Sequence, residues 1–253
     1  MMNTANNSPR ERLIFALDVG GGLDEALSWV DRLWDRVGLF KVGKEVFVRH
    51  GPEIVRQIHA RGGKVFLDLK FHDIPNTVVK AAEAAAELGV AMFNLHALGG
   101  RRMMAETVAA VQRFAEKRGT PAPIVLAVTV LTSLNDDDLK IMGFCRGTAE
   151  TALHLARLAQ DSGVPGVVAS AEDAAAIRKA CGSSFLIVTP GIRGTKEVAG
   201  DDQKRIVTPG EAVSRGADYL VLGRPIRQAA DPAHEADEIV KEIVRGLASR
   251  AGG

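Results

Sequence analysis

Short apolar runs alternate with amphipathic segments along the whole chain. Between the runs, apolar residues recur at helical spacing, as in Ala26, Val30 and Leu33 of an early segment and in Ile239 and Ile243 near the end. The pattern predicts eight strand–helix units. The predicted strands lie at residues 13–18, 39–43, 65–70, 91–96, 123–130, 166–170, 185–189 and 217–222.

The strand runs are nearly continuous in their hydrophobicity, as expected of a parallel sheet that is covered on both faces. Eight such units predict an α/β fold, a single closed (β/α)8 TIM barrel that forms one domain over residues 1–253. A doubly wound open sheet is the alternative, but Gly20-Gly21-Gly22 lacks the spacing of a dinucleotide-binding turn.

Two polar segments lie outside the strand–helix units. Residues 1–11 are predicted to be a disordered lead-in, and residues 135–138 are predicted to be a polar turn.

Composition narrows the function classes. The net charge of +1 gives no electrostatic reason to expect a nucleic acid or an anionic membrane as partner. No apolar run reaches the length of about 18 residues that a membrane span needs. The two cysteines, Cys145 and Cys181, suggest a reducing compartment. We therefore expect a cytoplasmic protein.

The third predicted strand carries the candidate chemistry. Asp68 and Lys70 are two residues apart, so a regular strand would point both side chains to one face. Asp73 follows where Pro75 can open a helix. Opposite charges on an apolar strand are costly unless they pair or act chemically, so a structural ion-pair network is the alternative to a catalytic site.

Other predicted strands also end in polar residues. Because the carboxyl ends of barrel strands hold the functional residues, these side chains are expected to converge. A metal site that uses His72 and His96 is an alternative, but the ammonium of Lys70 would repel the metal, and no metal is predicted. The residues of this set are Asp18, Lys41, Asp68, Lys70, Asp73, Asn94, His96, Thr132, Ser133 and Arg193.

A phosphate site is predicted near the last two strands. Gly223-Arg224-Pro225 follows the eighth run directly and begins a short helix, whose free N–H groups could hold a phosphate beside Arg224. The segment between Thr189 and Thr208 lacks apolar periodicity, which is typical of a lid or binding loop. Gln203 within it could reach a phosphate when such a loop closes.

Several motifs together resemble the orotidine 5′-phosphate decarboxylase family. The signature is Asp68-Leu-Lys-Phe-His-Asp-Ile-Pro-Asn-Thr77. It is supported, in the family's order and over nearly the whole chain, by Ala16-Leu-Asp18, Lys41-Val-Gly43, Val130-Leu-Thr-Ser133, Thr189-Pro-Gly-Ile-Arg193 and Val221-Leu-Gly-Arg-Pro-Ile226.

The resemblance implies a cofactor-free decarboxylase that converts orotidine 5′-phosphate to UMP, the last step of de novo pyrimidine synthesis, as a homodimer with shared active sites. It implies that Lys70 protonates C6, that Lys41 and Asp68 hold Lys70, and that Asp73 comes from the partner subunit. The substrate-binding residues that it implies are Asp18, Lys41, Asp68, Ile74, Thr77, Thr132, Ser133, Pro190, Arg193, Gln203, Gly223 and Arg224.

Two other functions stay open. A Mg²⁺-dependent sugar-phosphate decarboxylase or synthase of the same barrel group shares an Asp-x-Lys-x-x-Asp core. A non-catalytic barrel that binds a phosphate ligand is the alternative from a different class. Sensitivity to a chelator and turnover of orotidine 5′-phosphate would separate them.

Overall fold

The computed structural model describes residues 8–192 and 207–251. Its eight strands follow one another in chain order around a closed parallel barrel, which confirms the predicted fold class. Each strand lies within or close to its predicted run. The strands are β1 (Leu13–Ala16), β2 (Leu39–Gly43), β3 (Val65–Phe71), β4 (Met92–His96), β5 (Ile124–Val128), β6 (Gly166–Val168), β7 (Leu186–Pro190) and β8 (Tyr219–Leu222).

Helices connect the strands, as parallel pairing requires. They are α1 (Leu23–Leu33), α2 (Lys44–His50), α3 (Glu53–Ala60), α4 (Pro75–Glu87), α5 (Gly100–Arg118), α6 (Asp136–Ile141), α7 (Thr148–Asp161), α8 (Ala174–Cys181), α9 (Pro209–Ser214), α10 (Arg224–Arg227) and α11 (Pro232–Ala251). Within the part of the chain that the structure describes, no helix combines the length and apolarity needed to cross a bilayer.

The chain divides into two compact units, and both dividing points fall inside strands. One unit comprises Met1–Val65 and Val188–Gly253, and the other comprises Phe66–Ile187. In the first unit, β1 lies between β2 and β8, with Ile14 paired to Leu39 on one side and to Val221 on the other. The strand is buried throughout, which explains its continuous apolar sequence.

The second unit contains the β3–β4–β5–β6 part of the sheet. Its largest fully buried side chains include Phe66, Leu67, Phe93 and Met92. Burial of such a side chain stabilises the folded state by about 1.5–3 kcal/mol, so this core can support polar residues at the strand ends. Single-domain organisation of the chain stays a prediction.

Two local predictions need correction. Pro9–Arg12 forms a 3-10 helix, so the boundary of the disordered lead-in at residue 11 was set too far along the chain. Residues 1–7 lie outside the described residues. The predicted polar turn at residues 135–138 is instead the start of α6, where Asn135 accepts a hydrogen bond from the Asp138 N–H and the Asp138 carboxylate accepts one from the Asn135 N–H. The polar cluster is a capping box, which periodicity does not distinguish from a turn.

Candidate active site

The regular pairing of β3 with β4 is interrupted where the charged residues lie. Leu67 pairs with Phe93 and Phe71 with Leu95, so residues 68–70 of β3 face a single residue of β4, Asn94. Such a bulge bends its strand and leaves backbone groups without ladder partners. The side chains of residues 68–70 therefore do not point in the directions that the alternation of a regular strand would give them.

Lys70 has an unusual backbone within this bulge. Its φ of 53° lies in the left-handed region, and no other non-glycine residue described by the structure has a positive φ. This conformation costs a residue with a Cβ on the order of 1 kcal/mol. The Lys70 N–H donates a hydrogen bond of 2.8 Å to Asn94 Oδ1, which satisfies a donor that the bulge removes from the strand ladder. The surrounding structure thus holds Lys70 in a conformation that a regular strand does not have.

The Asp68 carboxylate connects the side chains of this cluster. Its Oδ1 accepts a hydrogen bond of 2.6 Å from Lys70 Nζ and one of 2.7 Å from Asn94 Nδ2. The side chain of Asp68 is 13% exposed and that of Lys70 is 27% exposed. A charge-assisted bond in such a partly desolvated position is stronger than a surface ion pair. The ammonium is therefore held in place while part of it stays accessible to a ligand.

A second ion pair lies at the ends of β1 and β2. Lys41 Nζ donates to both oxygens of Asp18, each at 3.0 Å. The Lys41 side chain is buried, whereas the Asp18 side chain is half exposed just past β1. The next glycine, Gly43, leaves room for this pair, because a Cβ there would lie 2.8 Å from Asp18 Oδ1 and 3.1 Å from Lys41 Nζ. This pair belongs to the first unit, and the Asp68–Lys70–Asn94 cluster to the second.

The segment after β3 presents the other residues of the signature to solvent. Asp73 is exposed, and its carboxylate accepts a hydrogen bond of 2.6 Å from the N–H of Ile74. Ile74 is 67% exposed, and Thr77 is exposed in the first turn of α4. Within the described part of the chain, no hydrogen bond or ion pair joins the side chains of Asp73 and Lys70 in this protomer.

The other predicted substrate-binding residues that the structure describes lie near the ends of β5, β7 and β8. Thr132 and Ser133 are exposed in a turn after β5, and Pro190 ends β7. Gly223 links β8 to α10, and Arg224 is exposed at the first position of that helix. A Cβ at Gly223 would lie 3.1 Å from the Cβ of Ala16. Arg193 and Gln203 lie outside the described residues.

The histidines considered as metal ligands stack on each other. The rings of His72 and His96 are 5.2 Å apart between centroids and are inclined by 24°. Within residues 8–192 and 207–251, no three His, Cys, Asp or Glu side chains are grouped as a metal site would require.

The sequence placed Asn94 among the polar residues expected to converge at the strand ends but gave it no specific role, although it lies at the centre of the second unit's cluster. It is 1% exposed, and its amide contacts both Asp68 and Lys70. The signal in the sequence was an amide within the apolar run Met92–His96. That signal marked Asn94 as a polar strand residue, but its partners could be known only from the register of β3 against β4.

Fold and site together define a class of protein. A parallel (β/α)8 barrel with charged groups after its strands is the architecture of a barrel enzyme. Ammonium groups held by carboxylates, as in Lys70–Asp68 and Lys41–Asp18, are suited to acid–base chemistry and to the binding of anions.

Comparison with known proteins identifies the family. The sequence profile of the Orotidine 5′-phosphate decarboxylase / HUMPS family matches residues 11–239, and the chain belongs to this family. It is 63% identical to the orotidine 5′-phosphate decarboxylase of Syntrophus aciditrophicus, over 97% of this chain and 98% of that protein. It is 51% identical to the protein of the same name from Syntrophotalea carbinolica, over 94% and 97% of the two chains. The chain is a carboxy-lyase.

A solved structure supports the same assignment. The crystal structure of orotidine 5′-phosphate decarboxylase from Lactobacillus acidophilus aligns with a TM-score of 0.79 at 36% sequence identity. The alignment covers 91% of this chain and 98% of the other. The similarity therefore extends over the barrel rather than over a shared motif alone.

Proposed function

We propose that the chain converts orotidine 5′-phosphate to UMP and carbon dioxide, the last step of de novo pyrimidine synthesis, without a cofactor and with Lys70 as the proton donor. The observation that carries this proposal is the ammonium of Lys70, held 2.6 Å from Asp68 Oδ1 and still partly exposed. The relatives named orotidine 5′-phosphate decarboxylase support the choice of substrate.

The chemistry of the reaction explains why a fixed ammonium is useful. When the bond from C6 to the carboxylate breaks, the electron pair remains on C6, and no adjacent π system takes up the charge. An ammonium within hydrogen-bond distance stabilises this charge as it develops and then transfers a proton to C6. Lys70 becomes a neutral amine and regains a proton from solvent before the next turnover.

Asp68 has a positioning role in this scheme. It accepts a hydrogen bond from Lys70 Nζ, so the ammonium needs no reorganisation when the carbanion forms. Lys41 is proposed to complete the set of catalytic charges together with Asp73.

Other residues are proposed to bind the remaining parts of the substrate. Asp18 and Lys41 would hydrogen-bond the ribose hydroxyls, for which a carboxylate and an ammonium supply an acceptor and donors. Thr132 and Ser133 would lie near the pyrimidine. The phosphate would be bound by Pro190, Arg193, Gln203, Gly223 and Arg224, and binding energy from this remote group can be used to order the site.

We propose a homodimer in which Asp73, Ile74 and Thr77 serve the site of the partner subunit. Large apolar side chains are exposed after three successive strands of the second unit: Ile74 after β3, Leu98 after β4 and Leu131 after β5. Exposed apolar side chains at one end of a sheet are typical of a subunit contact. Exposure of Asp73 within one protomer also fits a role in its partner.

A cytoplasmic location is proposed as well. Cys145 and Cys181 are both free thiols, one exposed and one buried, which fits a reducing compartment. The near-zero net charge fits a small-molecule substrate rather than a nucleic acid or a membrane surface.

An optical assay tests the proposed reaction. The purified chain is expected to change the ultraviolet spectrum from that of orotidine 5′-phosphate to that of UMP and to release one carbon dioxide per UMP formed. The rate should be the same in the presence of EDTA. Loss of activity with EDTA that returns on addition of Mg²⁺ would favour the sugar-phosphate decarboxylase or synthase. A stable spectrum despite tight nucleotide binding would favour a non-catalytic barrel.

Gly43→Ala is expected to weaken substrate binding. Its backbone is extended, so alanine is conformationally acceptable, but the new Cβ would displace the Asp18–Lys41 pair. We expect KM for orotidine 5′-phosphate to rise about tenfold, equivalent to about 1.4 kcal/mol. Gly22→Ala is a matched control, because Gly22 precedes α1 with a similar backbone and has open space around its Cβ position. An equal KM in the two variants would contradict the ribose-binding role.

Mixing two inactive variants tests the shared active site. Lys70→Ala and Asp73→Ala homodimers are each expected to be nearly inactive. After subunit exchange, half of the dimers are hybrids, and each hybrid has one site with both residues intact, so about a quarter of the wild-type activity should return. Steady-state rates before and after exchange measure the effect. No recovery despite exchange, monitored with a tagged subunit, would place Asp73 in the site of its own chain.

A further inference from the structure

Asn94 is the one residue of β4 that faces the bulge formed by residues 68–70. Its Oδ1 accepts the Lys70 N–H at 2.8 Å, and its Nδ2 donates to Asp68 Oδ1 at 2.7 Å. The partners determine the orientation of the amide, because a backbone N–H can only donate and a carboxylate can only accept. Burial of Asn94 to 1% exposure keeps water from replacing either bond.

We propose that Asn94 is a positioning residue for proton transfer, which acts by fixing both the backbone of Lys70 and the carboxylate that holds its ammonium. This inference rests on the proposed role of Lys70 as the proton donor. Asn94 holds the two ends of the lysine: the Lys70 main chain directly, and Lys70 Nζ through Asp68 Oδ1. Without this amide, the left-handed backbone of Lys70 loses a hydrogen bond that compensates for its conformational cost.

The amide of Asn94 is better suited to this position than the side chain of an aspartate or a leucine. An aspartate at position 94 would still accept the Lys70 N–H, but it would place a second carboxylate where Nδ2 now lies, 2.7 Å from Asp68 Oδ1. A leucine has the same branching at Cγ, with a somewhat larger volume, and makes neither bond. These two substitutions therefore separate the hydrogen bonds of Asn94 from its packing.

The test compares Asn94→Leu and Asn94→Asp with the wild-type enzyme by two measurements. The first is the steady-state kinetics of orotidine 5′-phosphate decarboxylation. The second is the exchange of the C6 hydrogen of UMP for deuterium in D₂O, which reports proton transfer at C6 without decarboxylation. Because a misplacement of about 1 Å can cost about a hundredfold in rate, we expect Asn94→Leu to lower kcat and the exchange rate about a hundredfold with KM little changed. Asn94→Asp should lower both rates at least tenfold.

Thr107→Val is the matched control for a structural role. Thr107 is fully buried in α5 of the same unit, and its hydroxyl donates to the Met103 carbonyl at 2.7 Å. This variant also loses a buried hydrogen bond, so its thermal midpoint should fall, but kcat and exchange should stay at the wild-type values.

Lys70→Ala, measured in parallel, separates the inference from the function on which it rests. If Lys70→Ala retains decarboxylation and exchange, the proposed proton donor is wrong. If Lys70→Ala loses both while either folded Asn94 variant keeps the wild-type kcat and exchange rate, the positioning role of Asn94 is wrong. If an Asn94 variant has a higher KM with an unchanged kcat, the positioning role is wrong as well. Should Asn94→Leu fail to fold, Asn94→Asp gives the decision.

Discussion

Lys70→Ala is expected to abolish turnover of orotidine 5′-phosphate while UMP still binds. The substitution removes the group proposed both to stabilise the C6 carbanion and to protonate it. A proton donor contributes about 10² to 10⁴ and a preorganised donor to a developing charge about 10² to 10³, so a loss of at least about 10⁴ in kcat is expected. That factor corresponds to about 5 kcal/mol of transition-state stabilisation. The value of kcat is measured with end-point assays, in which long incubation makes very slow turnover detectable.

Binding of UMP to the same variant shows that the pocket is intact. In this variant, the carboxylate of the substrate would face Asp68 without an ammonium beside it, but UMP has no such carboxylate. The Kd of UMP, measured by calorimetry, should therefore change by no more than about threefold. Lys80→Ala is the control, because Lys80 lies on the exposed surface of α4 and pairs with Glu83. It should have wild-type kcat and affinity. Decarboxylation at a wild-type rate in Lys70→Ala would refute the assignment of the proton donor.

Arg224→Ala is expected to lower kcat/KM for orotidine 5′-phosphate by at least about a hundredfold, chiefly through a higher KM. Arg224 is exposed at the start of α10, directly after Gly223 and the end of β8. A guanidinium contributes two donors in one plane to a phosphate, and each hydrogen bond to a charged group contributes about 1.5–3 kcal/mol. Steady-state kinetics over a wide substrate range give both constants.

A substrate without the phosphate makes this prediction more specific. With orotidine, the wild-type enzyme and Arg224→Ala should have the same kcat/KM, because the interaction lost in the variant is absent from both. Arg245→Ala removes an exposed arginine from α11 in the same unit and should behave as the wild type with either substrate. An equal loss with orotidine and its 5′-phosphate would show that Arg224 does not act on the phosphate group.

The strands of the barrel could be predicted because burial on both faces requires continuous apolar sequence. In β1, for example, Leu13, Ile14 and Phe15 are fully buried. The predicted run ended at Asp18, whose carboxylate pairs with Lys41 just past the strand. The short helix α2 was not predicted. Of its seven residues only Val46 is buried, which is too little for a helical period to be recognised.

The cluster at Lys70 could be predicted only in part. Spacing suggested that Asp68 and Lys70 share a face of a regular strand, and their side chains do meet. The physical reason is different, however: three residues of β3 oppose one of β4, and Lys70 adopts a left-handed backbone. Neither feature has a local sequence signal, because lysine rarely adopts that conformation without support from its surroundings.

For this protein, the order of apolar and polar residues was sufficient to predict eight strand–helix units and the charges that follow them, and the motif Asp68–Thr77 with its supporting motifs carried the resemblance to a decarboxylase family. These are local properties, set by burial, turns and residue spacing along one segment at a time. Only the tertiary structure determined which groups on different strands touch, such as the amide of Asn94 with Asp68 and Lys70. Such contacts depend on the register between strands, and register results from packing of the whole sheet rather than from any one run of residues.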